Sequence, residues 1–408
     1  MHILFLTDNF PPEGNAPATR TYEHAREWVK LGHKVTIITG TPNFPEGKVF
    51  DGYSNNWYKN EKIEGIEVRR VKTYITANEG FAKRILDFMS FMVTSFVAGL
   101  FVRKPDVIVG TSPQFFTVIS AWALSVIKFK PFIFELRDIW PASITAVGAM
   151  GRTLPIRILE KIEIFLYRRA DKIISVTHSF KNELIERGID GNKIDVILNG
   201  VDLSTYQLAR KKDEGFVKQY DLVGKFVVGY VGTHGLAHAL DKIVETAELL
   251  TDIKDILILF AGGGAAKKEI IKLVREKKLD NVRFIPRQSK ELMPRLWSLC
   301  DISLISLKDT KLFRTVIPSK IFESMGMGIP IIITAPTGES TKLIRDTNSG
   351  VVVKPESPEQ LKNEIVRLYK DSRELKILAD NSRKSSLKFD RRKLAINMLL
   401  SIGNTIKK

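Results

Sequence analysis

Lys320 and Glu323 are the side chains of this 408-residue chain whose types and spacing best suit the binding of a polar ligand. They lie in segment 317–330, where Pro318 predicts the first turn of a helix and the Gly-Ile-Pro stretch 328–330 predicts its end. Residues three apart share one face of a helix. A carboxylate there can accept both hydroxyls of a ribose, and a lysine near the helix start adds positive charge for a phosphate. An ordinary surface salt bridge is the alternative.

Three glycine-containing turns that follow predicted strands are candidates for binding an anion through backbone amides. One contains Gly14 and precedes a predicted helix, and the other two, 230–235 and 261–264, lie in the second half of the chain. In open α/β sheets, ligands bind at the carboxyl ends of the strands, where such turns lie. None of the turns matches the dinucleotide fingerprint or a Walker A loop, so a nicotinamide enzyme and an ATPase are both disfavoured.

The elements that must position these residues follow a repeated pattern. Apolar, β-rich runs alternate with segments of helical period in both halves of the chain, which predicts βαβ units and parallel sheets. We predict two doubly wound domains, spanning 1–198 and 205–388, with a polar interdomain linker within 200–225. The predicted strands include 3–7, 35–39, 107–110, 132–136, 227–231, 257–261, 302–305 and 331–334.

The composition excludes several classes of protein. A single cysteine, Cys300, rules out an internal disulfide and a cysteine-based zinc site, and it fits a reducing compartment. Asp8 interrupts the N-terminal apolar run, so no signal peptide is predicted. The histidines lack the spacing of metal ligands, so no metal site is predicted. The formal net charge of +17 indicates an anionic partner, unless it is only a solvated basic surface.

Segment 81–104 has a second possible role. Its aromatic-rich helical pattern is flanked by the basic pairs 83–84 and 103–104. This arrangement suits a helix that lies on an anionic membrane surface. An ordinary core helix of the first domain explains the pattern equally well.

Several stretches together resemble the retaining glycosyltransferases of family 4, which have the GT-B fold. The resemblance covers essentially the whole chain and extends to the branch that builds bacterial capsule, O-antigen and colanic acid, including N-acetyl-fucosaminyl transferases. Its most specific elements are Asn-Gly-Val-Asp at 199–202 and the helix of Glu323. Further matching stretches are PPEGNAPATR, ELRDIWPAS, NVRFIPR and SGVVVKPESPEQL.

The resemblance implies an α/β GT-B fold, in which two Rossmann-like domains face a central cleft. The domain 1–198 would bind the acceptor and 205–388 the donor, and a C-terminal helix near 390–408 would pack back on the first domain. The implied reaction moves N-acetyl-fucosamine or another N-acetylhexosamine from UDP to a lipid-linked saccharide of the undecaprenyl diphosphate type. The implied location is the cytoplasmic face of the membrane, with an anionic lipid contact through 81–104 and no nucleic-acid partner.

The resemblance also assigns roles in donor binding. Glu323 matches the second, ribose-binding glutamate of the family's E-x7-E motif. Phe284, Ile285 and Arg287 match the stretch that flanks the base, usually uracil. The residues that fall where the diphosphate is approached are Gly232, Thr233 and Gly263 in the second domain and Gly14 and Asn15 in the first.

Asp138 is the candidate catalytic residue, because it matches the position at which the acceptor enters. It lies in the stretch 137–141, Arg-Asp-Ile-Trp-Pro. An aspartate that follows a strand is as often a helix cap, so its role rests on the resemblance.

The chain departs from the family pattern at positions that normally contact the donor. Thr315 stands at the first glutamate of E-x7-E, and Thr233 replaces the usual diphosphate-binding arginine. The lysine that normally follows aligns near His238, and Arg137 replaces a histidine found in many relatives. Our hypothesis is that the missing positive charge comes from Lys320, Arg314 or Arg287.

No D-x-D pair, which metal-dependent transferases use to hold Mg²⁺ or Mn²⁺, occurs in the chain. The charge of the leaving diphosphate must then be met by helix N-termini and cationic side chains. We therefore predict metal-independent transfer without a cofactor. The alternatives are a UDP-sugar 2-epimerase of the same fold, which needs no acceptor, and a non-catalytic basic protein that binds an anionic surface.

Overall fold

The computed structural model describes residues 1–44, 46–76, 81–139, 154–208 and 211–407. The chain divides into two compact units. The first unit combines Met1–Leu198 with Arg391–Lys408, and the second spans Asn199–Asp390. The chain therefore crosses from one unit to the other twice.

The first unit is built on a sheet of order β3-β4-β2-β1-β5-β6-β7-β8. Its strands are β1 His2–Leu6, β2 Lys34–Gly40, β3 Tyr58–Ile63, β4 Ile66–Val71, β5 Val107–Thr111, β6 Phe132–Leu136, β7 Lys172–Ser175 and β8 Ile194–Val196. Its first helices are α1 Ala16–Lys30, α2 Phe81–Leu100, α3 Phe115–Lys128, α4 Leu154–Arg169 and α5 His178–Glu186.

Most of these strands pair in parallel, and β3 is the exception, since it pairs antiparallel with β4 at one edge of the sheet. The sequence of β3, Tyr-Lys-Asn-Glu-Lys-Ile, is largely polar and remains partly exposed. It was not predicted, because it lacks the apolar run of a strand that is covered on both faces.

The second unit has a sheet of order β11-β10-β9-β12-β13-β14, in which the recorded pairs are parallel. Its strands are β9 Phe226–Thr233, β10 Ile256–Gly263, β11 Val282–Ile285, β12 Ile302–Ser306, β13 Ile331–Thr334 and β14 Gly350–Val353. Its helices are α6 Glu214–Gln219, α7 Leu240–Glu248, α8 Lys267–Glu276, α9 Met293–Trp297, α10 Lys320–Met327, α11 Glu339–Thr347, α12 Pro358–Lys370 and α13 Ser372–Ser386. The doubly wound fold predicted from the alternation of strands and helices is thus confirmed in both halves.

The last helix, α14 Arg391–Ile406, belongs to the first unit and packs along α1. The buried indole of Trp28 donates a hydrogen bond to the Ala395 carbonyl at 2.8 Å. Arg391 and Glu23 form a buried ion pair at 2.8 Å. Apolar and polar contacts together therefore fasten the end of the chain to its beginning.

The predicted interdomain linker needs a correction. The stretch after residue 198 packs within the second unit, where Val201 donates a backbone hydrogen bond to Phe389 at 3.0 Å and Tyr206 is buried. Part of the polar run that follows forms α6, which Asp213 caps by accepting from the Phe216 amide. Polar composition was misleading here, because a short capped helix exposes most of its side chains.

The helix of Lys320 also begins later than predicted. Ser319 is the N-cap and Lys320 the first residue of α10, so Pro318 precedes the helix. Gly328 ends it with a φ of 69°, a conformation that favours glycine.

Candidate donor-binding site

Two glycine turns lie side by side at the carboxyl edge of the second sheet. Gly232, at the end of β9, is in register with Gly262, at the end of β10. Their φ angles are 129° and 137°, and a Cβ atom on Gly262 would collide with the Gly232 carbonyl. The His234 amide donates to the Gly263 carbonyl at 2.8 Å. The turns therefore form one rigid backbone surface, at the edge where α/β sheets bind ligands.

Lys320 places a buried positive charge beside these turns. A Cβ atom on Gly232 would lie 3.3 Å from the Lys320 Nζ, which itself lies 3.9 Å from the centroid of the Tyr230 ring. Within the described ranges this buried Nζ has no hydrogen-bond partner. Burial lowers the pKa of Lys320 to about 7, although Glu323 opposes the shift. A desolvated ammonium that donates to no neighbour is suited to binding an anion.

Two histidines, which were not predicted as site residues, lie beside these turns. The rings of His234 and His238 lie 5.8 and 6.0 Å from that of Tyr230, measured between centroids. Nδ1 of His238 lies 3.1 Å from the Ser306 carbonyl, which only accepts, so the neutral ring carries its proton there. Burial, together with nearby lysines, lowers the pKa of both rings to about 4. At neutral pH both are uncharged.

A second lysine lies close to the turns but is already engaged. Lys267, the first residue of α8, donates through Nζ to the Gly262 carbonyl at 2.8 Å. Its charge contributes to the local potential, as its effect on the pKa of His234 shows. Lys320 therefore differs from Lys267 in having its donors unused within the described structure.

Glu323 lies one turn beyond Lys320 on α10. Its Oε2 accepts a hydrogen bond of 3.1 Å from the indole N–H of Trp297, at the end of α9. A surface salt bridge, the alternative considered above, would place both groups in water. The Lys320 ammonium is buried instead, and it makes no hydrogen bond to Glu323.

The residues expected to flank the base lie at the end of β11. Phe284 stacks on Phe260 with the ring centroids 5.4 Å apart and the planes 16° apart. Ile285 is fully buried. The Arg287 side chain is exposed.

The remaining predicted residues of the second unit lie in exposed or partly exposed turns. Thr315 uses its hydroxyl to donate to the Leu312 carbonyl at 2.9 Å, just before α10. Arg314 is exposed, and its backbone packs against Gly338. Thr233 is exposed at the end of β9. Of the three cations proposed to replace the missing charge, Lys320 alone is seen against the glycine turns in the described structure.

Within the first unit, Gly14, Asn15 and Asp138 follow β1 and β6 at the carboxyl edge of the sheet. Gly14 is exposed, and Asn15 caps α1 by accepting a hydrogen bond from the Ala18 amide at 3.0 Å. The Asp138 amide donates to the Ser112 hydroxyl at 3.2 Å. Trp140 and Pro141, which complete this motif, lie outside the described residues.

Arg137 is more buried than an ordinary arginine of a loop. Its Nε and Nη1 atoms are buried and lack partners among the described residues. Burial lowers the pKa of Arg137 to about 10, against the opposing charge of Glu135. Sequence reasoning noted its departure from the family but did not include it in the site.

The second unit also contains a cavity of about 270 Å³, which is separate from the glycine turns. Its walls include Trp297, Cys300, Met327 and Ala379. Cys300 and Pro330, which also line it, precede β12 and β13, so the cavity lies at the amino ends of these strands. Ligands of such sheets bind at the opposite edge, so this is not the donor site.

Within the described part of the chain, His, Cys, Asp and Glu nowhere form a group of three that could hold a metal ion. Among the helices of the described ranges, none combines the length and the apolar character that crossing a bilayer requires.

Two family models match the chain in succession. Glycosyltransferase Family 4 matches residues 17–205, and Glycosyl transferases group 1 matches residues 213–385. The putative colanic acid biosynthesis glycosyl transferase WcaI of Escherichia coli K12 is 26% identical over 370 residues, which cover 88% of this chain and 90% of that protein. The putative teichuronic acid biosynthesis glycosyltransferase TuaH of Bacillus subtilis is 23% identical over 52% of each chain.

Solved structures share the fold. Anabaena HepE in complex with UDP and glucose superposes with a TM-score of 0.73 at 16% identity, over 98% of this chain and 99% of that one. Sucrose-phosphate synthase from Thermosynechococcus elongatus gives a TM-score of 0.78 at 15% identity, over 99% and 98% of the two chains.

Two Rossmann-like units, each built on a doubly wound α/β sheet, define the class of fold. The matches to both halves make the assignment more specific. The chain has the GT-B fold and is a glycosyltransferase, since its first part matches the Glycosyltransferase Family 4 model and its second part matches the Glycosyl transferases group 1 model. This confirms the predicted fold and enzyme class and disfavours the epimerase and the non-catalytic binding protein.

Proposed function

We propose that the protein transfers a sugar from a UDP donor to a lipid-linked saccharide during synthesis of a bacterial surface polysaccharide. The observation that carries the proposal is the buried Lys320 ammonium, which lies without a hydrogen-bond partner in the described structure beside the paired glycine turns. The similarity to WcaI, a putative colanic acid enzyme, supports the polysaccharide class. We propose N-acetyl-fucosamine or another N-acetylhexosamine as the sugar and undecaprenyl diphosphate as the type of lipid.

The second unit would bind the donor. Lys320, the N-terminus of α10 and the amides of the Gly232 turn would balance the diphosphate, and Glu323 would accept the ribose hydroxyls. The same groups would stabilise negative charge that grows on the departing UDP. Because this charge comes from the protein itself, we expect turnover without an added metal ion.

The proposed reaction retains the anomeric configuration. The bond between the sugar C1 and the β-phosphate oxygen breaks, and a bond from C1 to the acceptor oxygen forms on the same face. The proton of the acceptor hydroxyl passes to the departing phosphate oxygen, which leaves as UDP. Asp138 is the proposed residue of the first unit that orients the acceptor.

A surface of the first unit is proposed to contact anionic lipid at the cytoplasmic face of the membrane. One face of α2 is buried through Phe91 and Ala98, so α2 is a core helix. Its other face is apolar yet exposed, which a core role does not explain. The exposed residues of this face and the adjoining turn are Leu86, Met89, Val93, Val97, Leu100 and Phe101.

The end of α3 continues this surface. The Lys128 ammonium donates to the Leu100 and Val102 carbonyls at 2.9 Å each, which ties the end of α3 to the end of α2. Phe129, at the C-cap of α3, is 92% exposed. Apolar side chains beside the basic residues 103–104 suit insertion into an anionic interface.

The experiment that tests the proposed function measures UDP release from a panel of UDP-N-acetyl sugars, with UDP-N-acetyl-fucosamine first. Each donor is incubated with and without a lipid-diphosphate monosaccharide, and with and without EDTA. We expect UDP release only when the acceptor is present, with no loss in EDTA. Acceptor-independent turnover would support an epimerase, and loss of turnover in EDTA would contradict the metal-independent mechanism.

A further inference from the structure

Trp297 contacts the residue to which the proposed function assigns the donor ribose. Its indole N–H lies 3.1 Å from Glu323 Oε2 and donates a hydrogen bond to it. The side chain is fully buried, and the N–H is the only polar group of an indole. We propose that Trp297 is a positioning residue, which holds the Glu323 carboxylate in the orientation that binds the ribose. This inference rests on the proposed function.

The Trp297 indole N–H donates its hydrogen bond to a carboxylate, and this type of partner is what suggests a functional role. A buried indole N–H needs a partner, and a backbone carbonyl is sufficient. Trp28 of the first unit illustrates this, because its indole donates to the Ala395 carbonyl at 2.8 Å. Trp297 instead engages a carboxylate on the helix that also carries Lys320. Such a charge-assisted bond is stronger than a neutral one and limits the rotation of the glutamate side chain.

The backbone on both sides of this bond is also fixed. Ser324, the neighbour of Glu323, donates from its buried hydroxyl to the Ser303 hydroxyl of β12 at 2.7 Å. On the other side, the Trp297 carbonyl accepts from the Cys300 amide at 3.1 Å, and the neighbouring side chain of Leu296 is buried. Glu323 is therefore held to α9 through its carboxylate, and the next residue along α10 is bonded to the sheet through its side chain.

Such preorganisation has a defined consequence for ligand binding. A glutamate that is already oriented loses little side-chain entropy when the ribose binds. Without the indole N–H, that cost is added on binding, and it concerns only the contact between the carboxylate and the ribose hydroxyls. The effect should therefore depend on whether the ligand carries both hydroxyls.

The experiment compares UDP with 2′-deoxy-UDP by calorimetry, using the full chain. Trp297→Phe removes the N–H and keeps an aromatic ring, and we expect about tenfold weaker binding of UDP. The loss should be clearly smaller for 2′-deoxy-UDP. In the transfer reaction, the donor KM should rise by a similar factor while kcat changes little.

Two further variants separate positioning from general stability. Combining Trp297→Phe with Glu323→Gln should weaken UDP binding no more than Glu323→Gln alone, since both changes act on one contact. Trp28→Phe removes a comparable buried indole bond in the first unit. It should lower the midpoint of unfolding and leave UDP affinity unchanged.

Equal losses for UDP and 2′-deoxy-UDP, or additive effects in the double variant, would overturn the positioning role. If Glu323→Gln leaves UDP affinity unchanged, the ribose contact itself is wrong, which is a separate failure of the proposed function. Should Trp297→Phe not fold, the indole N–H resonances of ¹⁵N-labelled wild-type protein provide the test. The Trp297 indole N–H resonance should shift when UDP binds and shift much less when 2′-deoxy-UDP binds. The absence of such a difference would refute the inference.

Discussion

Lys320 and Glu323 lie on one turn of α10, yet their environments give them different chemistry. The lysine is desolvated against the Tyr230 ring, where burial lowers its pKa to about 7. The glutamate is held by an indole N–H. The two side chains of the site therefore differ: the Lys320 ammonium is suited to binding an anion, and the Glu323 carboxylate is already oriented by a hydrogen bond.

Replacing Lys320 by methionine should weaken UDP binding by about 1.5–3 kcal/mol, because a charge-assisted contact to phosphate is lost while the side-chain length is kept. Calorimetry with UDP measures this directly. Lys342→Met is the matched control, because that lysine is exposed and pairs with Asp346 on the surface of α11. Unchanged UDP affinity in Lys320→Met would show that the assignment is wrong.

The pKa of Lys320 also predicts how binding depends on pH. Below about pH 7 the ammonium is charged in the free protein, and above it the neutral amine must take up a proton when UDP binds. UDP affinity should therefore fall between pH 7 and 9, by up to about tenfold per pH unit. The terminal phosphate of UDP stays ionised across this range.

Lys320→Met provides the control for this pH profile. The variant should bind UDP weakly with a flat profile, because the histidines of the site, with pKa values near 4, are already neutral at pH 7. A profile that falls as steeply in the variant as in the wild type would assign the titration to another group.

At the scale of the element, α2 has two apolar faces, and only one of them is covered by the described structure of the first unit. The buried face packs against α3 and explains why the helix forms. The exposed face, with Leu86, Val93 and Val97, has no such role in folding. Amphipathic periodicity alone would have predicted a polar outer face.

The double change Val93→Asp and Val97→Asp should reduce binding to vesicles that contain anionic phosphatidylglycerol by at least about tenfold, since it removes apolar contacts and adds charge that the lipid repels. Sedimentation with vesicles measures it. Ile377→Asp is the control, because Ile377 is a similarly exposed apolar residue on α13. Vesicle binding that survives the double change would place the lipid contact elsewhere.

In the molecule as a whole, the first unit is formed by two segments that are far apart along the chain. The first unit ends at Leu198 and is completed by Arg391–Lys408. The Arg391–Glu23 pair is buried on both sides, with exposures of 7% and 3%. The C-terminal helix is thus a structural part of the N-terminal unit.

Arg391→Met should destabilise the first unit by about 3–5 kcal/mol, because it removes one side of a buried ion pair with Glu23. Urea unfolding followed by circular dichroism measures the loss. The adjacent Arg392→Met is a matched control, since Arg392 is 73% exposed and its contact with Glu27 is 3.8 Å long. We expect it to cost less than about 1 kcal/mol, and equal costs for the two variants would argue against the role of the buried pair.

Local patterns in the sequence were sufficient to predict many of the strands and helices. Strands β12 and β13 agree with the predicted runs to within one residue, because buried parallel strands need continuous apolar residues. The spacing of Lys320 and Glu323 on one helix is equally local. The polar edge strand β3 and the capped helix α6 were missed because their stability comes from pairing and capping rather than from an apolar pattern.

The class of the fold, the enzyme family that the chain resembles and the helix that carries Lys320 and Glu323 all follow from the amino-acid sequence. Only the tertiary structure decided that the Lys320 ammonium is buried against Gly232 and Tyr230, and that Trp297 donates to Glu323. Lys320 meets Gly232 because the carboxyl ends of parallel strands lie at one edge of the sheet. Trp297 meets Glu323 because the helices α9 and α10 pack against each other. The hydrophobic periodicity of a sequence predicts which residues are buried. The partner of each buried polar group depends instead on how the helices and strands pack together.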